Sequence, residues 1–564
     1  TGFNRKNLPP RHVMSRCLVS FFRGYGVFYF FLPDIHTMSL YRAAYSPEED
    51  ELSPIGATPN MSNSEFSLLL LTAAVGALYA EDCDAPVKHI RQELYAVGKY
   101  HLDVAVGNIR DGTVAMSVGN GATAALYMIF EKDILARKYI EQAIHLTQKK
   151  GFHMINSSSK IRGLMNGSDG VNGTGGEWEA WRRVWRSLVF LDGWLSASVG
   201  YHPATDTIDS YDPRTFNEID QGLHAEMAKL GALMGAITRD ICAPKTFEMS
   251  QVREYNGQLK TWHDNLPDYL KLSEALDFKS DSAHRTSILL THCAYLGSLI
   301  LLTRRILIAQ TKSLRGETQE IVFGDVDHEM VKLSHDCIYA ARQLATVVGI
   351  FFTEGRLVRK CWLGIQSAFT SCLIIFLELS VLRRQYNVRP QLADLELVSR
   401  CMYALEYCAS VDTVAKSFFT TLVPIRNIIF ASTPEFTGTM ESQLNPHGQS
   451  TRIPQYRGDL TIDFVLTHIL GCLESPYGGD HNVVNESPYN LGNFPVNWRF
   501  LNPNPPKLPS PTFTSSPLAQ LQSRHSSRRP SHDCDDRDAS THGRRRKMPF
   551  KSMEEYENFL RRVA

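Results

Sequence analysis

Apolar residues recur with helical spacing along most of this chain, from residue 65 to about residue 431. Residues three and four apart share one face of an α-helix, whereas a β-strand requires alternation with a period of two. Strand-like alternation is almost absent from this stretch, and no fixed-length repeat divides it. The pattern therefore predicts an all-α fold, a multi-helix layered bundle rather than a repeat solenoid.

The apolar periodicity and the capping residues together predict a series of separate helices. They cover residues 66–81, 87–106, 123–130, 133–150, 177–199, 221–241, 252–265, 283–310, 328–348, 357–384, 395–410 and 411–430.

Changes in composition predict the organisation of the chain. The predicted parts are a domain at 1–432, made of an entry segment at 1–64 and a helical core at 65–432, an irregular docking segment at 433–501, and a tail at 502–564. The tail is rich in proline, serine and basic residues, which predicts disorder, with a short terminal helix over 551–563. Within the docking segment, residues 459–472 are apolar enough to pack on the bundle.

Charge and cysteine usage exclude some classes of protein. Lys plus Arg and Asp plus Glu both total 59, so the formal net charge is zero. A neutral chain is not expected to bind nucleic acid by overall electrostatics. The 11 cysteines are scattered, which predicts buried, reduced thiols rather than a zinc site. Cys401 and Cys408, seven apart on one helix face, are interpreted as core thiols.

Long apolar stretches are interpreted as core helices, and no membrane association is predicted. The longest, residues 363–382, is interrupted by Gln366 and Glu378 and followed by Arg383 and Arg384. A spanning helix needs about 20 predominantly apolar residues with few or no charges. A buried helix fits this composition better.

Catalytic, cofactor and metal patterns are missing from the sequence, so no catalytic residue, bound cofactor or metal ligand is predicted. Neither a nucleophile elbow nor a His-Glu-x-x-His helix occurs. The glycine-rich stretch 163–176 lacks the strand and lysine of a phosphate loop and predicts a surface loop. His145, His153 and His202 are interpreted as structural rather than as a three-histidine metal site.

One predicted helix places a carboxylate in an apolar stripe. Trp181, Trp185, Leu188, Asp192 and Leu195 follow one another at intervals of four and three, so they share a face. A buried carboxylate needs a partner, because an unpaired buried charge is very costly. The partner is expected from the helix at 133–150 or from the loop around residues 201–202.

These two segments carry a recognisable pattern: a helix that runs into Gly-Phe-His, then a tryptophan-rich helix followed by Gly-Tyr-His-Pro. The residues concerned are Ala143, Ile144, Leu146, Gly151, Phe152, His153, Glu179, Arg182, Arg183, Trp185, Leu188, Asp192, Ser196, Gly200 and Pro203. They resemble the fungal-specific transcription factor regulatory domain, or middle homology region, of zinc-cluster regulators, including xylanolytic activators. Phe152 replaces the usual leucine, Arg186 a tryptophan, and Tyr201–His202 a single arginine. The similarity covers roughly residues 8–430, and it includes the entry segment at residues 8–11 and the late helix that contains residues 300–305.

The resemblance implies a non-enzymatic regulator of transcription of RNA polymerase II genes, located in the nucleus. Zinc is expected only in a DNA-binding module upstream, of the six-cysteine or two-Cys two-His type, because such a module usually precedes this domain. The chain begins at Thr1 rather than methionine, which agrees with a missing N-terminal portion. Implied partners are DNA through that module, transcription machinery or co-regulators, a small-molecule inducer and a second copy of the chain. An alternative is a helical scaffold that acts through protein partners, and an all-helical enzyme is a further one.

The resemblance also assigns roles to residues, with a purely structural role as the alternative. Glu179, Arg182 and Arg183 are expected to fix the helix packing, and Trp181 and Trp185 to line a pocket. Gly151, His153, Asp192, Gly200 and Pro203 complete the motif residues. In the tail, the basic run Arg544, Arg545, Arg546 and Lys547 is interpreted as a nuclear localisation signal or, alternatively, as solvated charge.

Overall fold

The computed structural model describes residues 8–23, 34–45, 61–80, 86–107, 118–124, 135–149, 174–200, 202–205, 219–244, 246–276, 282–316, 327–431 and 462–474. The chain divides into two compact units, Thr1–Leu501 and Asn502–Ala564, and the described residues all lie in the first. The predicted disordered tail and the basic run at 544–547 lie outside the described residues.

The described residues form α-helices joined by turns and short 3₁₀ segments, and no β-strand is found among them. The helices are α1 (Arg11–Arg23), α2 (Asp34–Tyr45), α3 (Asn63–Ala80), α4 (Pro86–Gly107), α5 (Leu135–Lys149), α6 (Thr174–Val199), α7 (Ile219–Ile237), α8 (Met249–Asp264), α9 (Ser282–Leu314), α10 (Asp327–Thr353), α11 (Trp362–Tyr386), α12 (Leu392–Ala409), α13 (Thr413–Phe430) and α14 (Ile462–Glu474). Residues 118–124 are also helical. The predicted all-α class is confirmed.

Helix α3 is the centre of an N-terminal group in which α1, α2 and α4 pack around it. Its residues are apolar on all sides and almost all buried, as expected of a helix enclosed by others. A capping box begins it: the Ser62 N–H donates to Glu65 Oε2 at 2.8 Å, and the Glu65 N–H donates to Ser62 Oγ at 3.2 Å. A Cβ on Gly76 would lie 1.9 Å from the Cys17 carbonyl oxygen, so α1 and α3 cross in close contact.

The second half of the domain is a stack in which α9, α10, α11, α12 and α13 pack on their neighbours. Arg342 of α10 ties three helices together, since its Nε donates to Asp394 Oδ1 at 2.7 Å and its Nη2 to Glu378 Oε2 at 2.6 Å. Helices α9 and α11 are long and apolar enough to cross a bilayer by length and composition, but most of their apolar windows are buried inside the bundle. The interpretation of residues 363–382 as a core helix agrees with this packing.

Most predicted helices are found within a few residues of their predicted bounds, with two corrections. The helix predicted from residue 357 begins at Trp362, because the chain turns at Gly355 with φ +64° and Cys361 Sγ caps α11 by accepting from the Gly364 N–H. The helix predicted to residue 241 is α-helical only to Ile237, and Thr238–Cys242 continues it as a short π-helix. Of the predicted helix at 123–130, most lies outside the described residues.

Part of the segment predicted to be irregular is helical. Helix α14 packs against α9 and α11 with six side chains buried: Val465, Leu466, His468, Ile469, Leu470 and Leu473. Polar contacts hold its two ends: Lys312 pairs with Glu474, and Arg384 Nε lies 2.9 Å from Asp463 Oδ1. The expected docking on the bundle is therefore seen for this stretch.

We expect α14 to make folding sensitive to acid through His468. Burial lowers the pKa of His468 from 6.5 to about 4. A lowered histidine pKa means that the unfolded chain binds more protons, so this contribution is full above pH 6.5 and is lost as the pH falls toward 4. Between pH 7 and pH 5 the free energy of unfolding should fall by about 2 kcal/mol more in wild type than in His468→Gln. Urea denaturation at both pH values measures the difference, and equal losses would contradict the assignment.

Candidate regulatory site

Helices α6 and α7 cross at glycines, so their backbones are in direct contact. A Cβ on Gly193 would lie 1.8 Å from the Gly231 carbonyl oxygen, and a Cβ on Gly231 would lie 2.5 Å from Phe190 Cα. Such distances leave no room for any side chain at either position. The crossing fixes the residues next to Gly193 relative to α7.

Asp192, immediately before this crossing, holds the loop that follows α6. Its side chain is fully buried, and Oδ2 accepts three hydrogen bonds: from the Ala204 N–H at 2.8 Å, the Thr205 N–H at 2.8 Å and Thr205 Oγ1 at 2.7 Å. A carboxylate bonded to consecutive backbone N–H groups fixes the path of the chain at that point. Asp192 thus connects the body of α6 to the chain beyond its C-terminus.

Arg137 of α5 brings a third element to the same carboxylate. Its Nη1 lies 3.7 Å from Asp192 Oδ1 and 3.3 Å from Ser196 Oγ, and its Nη2 donates to the His202 carbonyl oxygen. Its Nε donates to Glu141 Oε1 at 2.6 Å. We call Arg137, Asp192, Ser196 and the loop at 202–205 the carboxylate clamp, since it joins α5, α6 and the loop.

Asp192 is buried, as its place in the apolar stripe predicted, and Arg137 lies in the helix from which a partner was expected. The loop donors are on Ala204 and Thr205, slightly beyond the expected residues 201–202. Burial raises the pKa of Asp192 above its ordinary value, while Arg137 and the donors of Thr205 and Ala204 oppose that rise. The buried charge is therefore stabilised by the clamp and depends on it.

Two other motif residues shape the return of the chain toward α7. Gly200 ends α6 with φ +80°, a conformation that glycine adopts without steric cost, and its N–H donates to the Ser196 carbonyl oxygen at 2.8 Å. Pro203 is buried, and a Cβ built on Gly235 of α7 would lie 3.4 Å from its Cβ. The motif residues Asp192, Gly200 and Pro203 thus lie together at the junction of α6 and α7.

The other predicted site residues lie outside the clamp, in α6 or outside the described residues. Arg183 is buried, Arg182 and Trp185 are half-buried, and Glu179 and Trp181 lie in α6 with side chains outside the description. Gly151, His153 and the basic residues Arg544, Arg545, Arg546 and Lys547 also lie outside the described residues. The roles assigned to these residues stay predictions.

A cavity of about 50 Å³ lies between α6, α7, α9, α10 and α11. It is lined by residues that include Trp194, Met234, Ile300, Arg304, Leu344 and Gln366. The tryptophan in this lining is Trp194, two residues beyond Asp192, whereas Trp185, expected to line a pocket, does not contribute to it. Helical spacing places Trp194 off the stripe that contains Asp192, and no other sequence pattern marks it as a lining residue.

The cysteines in the described part of the chain form no disulfides. Cysteines 17, 242, 293, 337, 361, 372, 401, 408 and 472 are free, and all but the last are buried. Burial raises the pKa of Cys17 and Cys242 to about 11, so these thiols are protonated near neutral pH and weakly reactive. Among the described residues no group of three or more His, Cys, Asp and Glu side chains is arranged to hold a metal ion.

The chain is similar to an uncharacterised transcriptional regulatory protein of the fission yeast Schizosaccharomyces pombe. The two sequences are 21% identical over 430 residues, which is 73% of this chain and 49% of the relative. The chain thus spans about half the length of the curated relative that it matches. No protein-family model and no solved structure matches the chain. The particular regulatory domain named from the sequence therefore stays a prediction.

Proposed function

We propose that this chain regulates transcription as the helical regulatory domain of a fungal transcription factor. The observation that carries the proposal is the similarity over 73% of the chain to a fungal transcriptional regulatory protein. The all-α fold and the order of the motif residues along it support the same class. The role proposed is that of a switch between conformations, and no catalytic step is assigned.

The carboxylate clamp is the proposed switch point. Asp192 links three elements through one buried side chain, and Gly193 fixes that side chain beside the crossing with α7. Packed contacts of this kind shift between discrete arrangements rather than deforming continuously. A ligand or protein partner that binds one arrangement of α5, α6 and α7 more tightly than the other would change the population of the active state.

DNA contact and nuclear import are assigned to other parts of the protein. We propose that a zinc-containing module encoded upstream supplies DNA binding at RNA polymerase II genes, and that Arg544, Arg545, Arg546 and Lys547 direct nuclear import. Co-regulators of transcription and a second copy of the chain are the proposed protein partners. A six-cysteine or two-Cys two-His motif in the upstream coding sequence would support this arrangement. The alternative of a helical scaffold predicts neither motif there.

Rapid degradation of the native protein in its own cells tests the proposed function. Nascent transcripts of a defined set of genes should change promptly after the protein disappears, before secondary effects accumulate. A matched strain that carries the degradation tag on an unrelated protein controls for the treatment. Unchanged nascent transcription after complete loss of the protein would reject the proposal and favour a scaffold outside transcription.

A further inference from the structure

The cavity between α6, α7, α9, α10 and α11 is large enough for a small molecule. Its volume of about 50 Å³ compares with roughly 10–15 Å³ for one water molecule by the same measure. The cavity is therefore larger than one or two water molecules require, and it can hold a ligand of a few heavy atoms. Its walls are side chains of five helices that are distant in sequence, so an occupant would contact all five.

The cavity is lined by apolar side chains and by one positively charged side chain. Ile300, Leu344 and Leu363 are buried apolar side chains, and Arg304 is the cation. Burial raises the pKa of the Cys293 thiol, which is therefore neutral. No carboxylate is present among the described residues of the lining. A ligand with one negative charge and a short apolar part complements this surface.

The lining also contains hydrogen-bond donors. The Trp194 side chain is 1% exposed, and its indole Nε1 has no hydrogen-bond partner. A buried N–H without a partner is costly, so an acceptor that enters the cavity would be stabilised by it. Ser198 Oγ donates to Gln366 Oε1 at 2.8 Å. The Gln366 side-chain nitrogen is a hydrogen-bond donor. Donors and cation together favour an anionic oxygen ligand.

We propose that this cavity binds a small monocarboxylate, with its carboxylate beside Arg304 and its short alkyl chain against the apolar wall. One negative charge matches one guanidinium, whereas a dianion would introduce a second buried charge without a partner. The inference deepens the proposed function and rests on it for its regulatory meaning, because it names the chemical class of the effector. Trp194 connects the site to the clamp, since it lies in the same helix two residues from Asp192.

Gly297 gives a variant that fills the cavity without disturbing its charge. It lies in the lining, and a Cβ built on it meets nothing within 4 Å. Gly297→Leu should therefore occupy the space while the helix remains folded. Gly257 is the matched control, because it is an exposed glycine of α8 whose Cβ would also meet nothing within 4 Å.

The test is a calorimetric titration of the purified full chain with sodium propionate, with propionamide as the neutral isostere. Wild type and Gly257→Leu should bind propionate saturably and propionamide at least about tenfold more weakly, the loss expected for a charge-assisted hydrogen bond. Gly297→Leu should abolish propionate binding with no loss of thermal stability. Arg304→Gln should weaken binding by about tenfold or more.

Absence of saturable propionate, acetate and butyrate binding in wild type would overturn the inference. Equal binding of propionate and propionamide, or binding unchanged in a folded Gly297→Leu protein, would overturn it as well. These outcomes concern ligand binding alone. The proposed role in transcription is tested separately by the loss of nascent transcripts, so the two failures are distinguishable.

Discussion

Gly193→Ala is expected to destabilise the protein by about 3 kcal/mol or more, at the upper end of the range for overpacked cores. The added methyl group would lie 1.8 Å from the Gly231 carbonyl oxygen, and backbone cannot move aside as a flexible side chain can. Helices α6 and α7 would have to separate, which disturbs the clamp beside them. Urea denaturation followed by circular dichroism, with the slope of the transition compared between variants, measures the effect.

The control for this substitution is Gly257→Ala in α8. A Cβ at Gly257 meets nothing within 4 Å, and the residue is exposed. Alanine in a helix interior is favoured over glycine by about 1 kcal/mol, so this variant should be slightly more stable than wild type. If Gly193→Ala were also as stable as wild type, the close crossing of α6 and α7 would be wrong.

Asp192→Ala is expected to cost about 3–5 kcal/mol, the usual penalty for removing one partner of a buried charged pair. Three donors on Ala204 and Thr205 would lose their acceptor, and the Arg137 guanidinium, with a side chain only 14% exposed, would face a cavity instead of a carboxylate. Asp192→Asn keeps the shape and one acceptor oxygen, so it should cost less. Thermal and chemical unfolding of both variants give the comparison.

Asp103→Ala is the control for Asp192→Ala, because it removes an acid from an exposed ion pair rather than a buried one. Asp103 pairs with Lys99 at 3.0 Å on the surface of α4, with a side chain 57% exposed. Exposed helix pairs contribute about 0.5 kcal/mol or less, so this change should be nearly neutral. Both Asp192 variants within error of wild type would show that the clamp does not hold the fold together.

The sequence predicted the helices well because each has an apolar face of its own, and periodicity reports that face without knowledge of partners. The wrongly predicted helix ends lie where something other than apolar periodicity determines the backbone conformation. Gly355 turns the chain before α11, and α7 continues as a short π-helix although its apolar pattern does not change. Local propensity describes a helix more reliably than the point at which it ends.

The candidate site was predicted in part, for an identifiable reason. An acid in an apolar stripe needs a partner, and chain proximity limited that partner to the helix before it and the loop after it, where Arg137 and Thr205 are found. The Gly193–Gly231 contact could not be predicted, since it depends on which helices cross and at what level. The cavity also depends on packing, because Trp194, Arg304 and Gln366 come together only in the assembled bundle.

The proposed role in transcription can be measured by tethering residues 1–564 to a reporter promoter through a bacterial DNA-binding domain. We expect the reporter transcript to change relative to the DNA-binding domain alone, and the change to be lost in Asp192→Ala but kept in Asp103→Ala at matched protein levels. Reporter transcript equal to that of the DNA-binding domain alone, with the wild-type fusion present in the nucleus at the same level, would show that the chain does not regulate transcription.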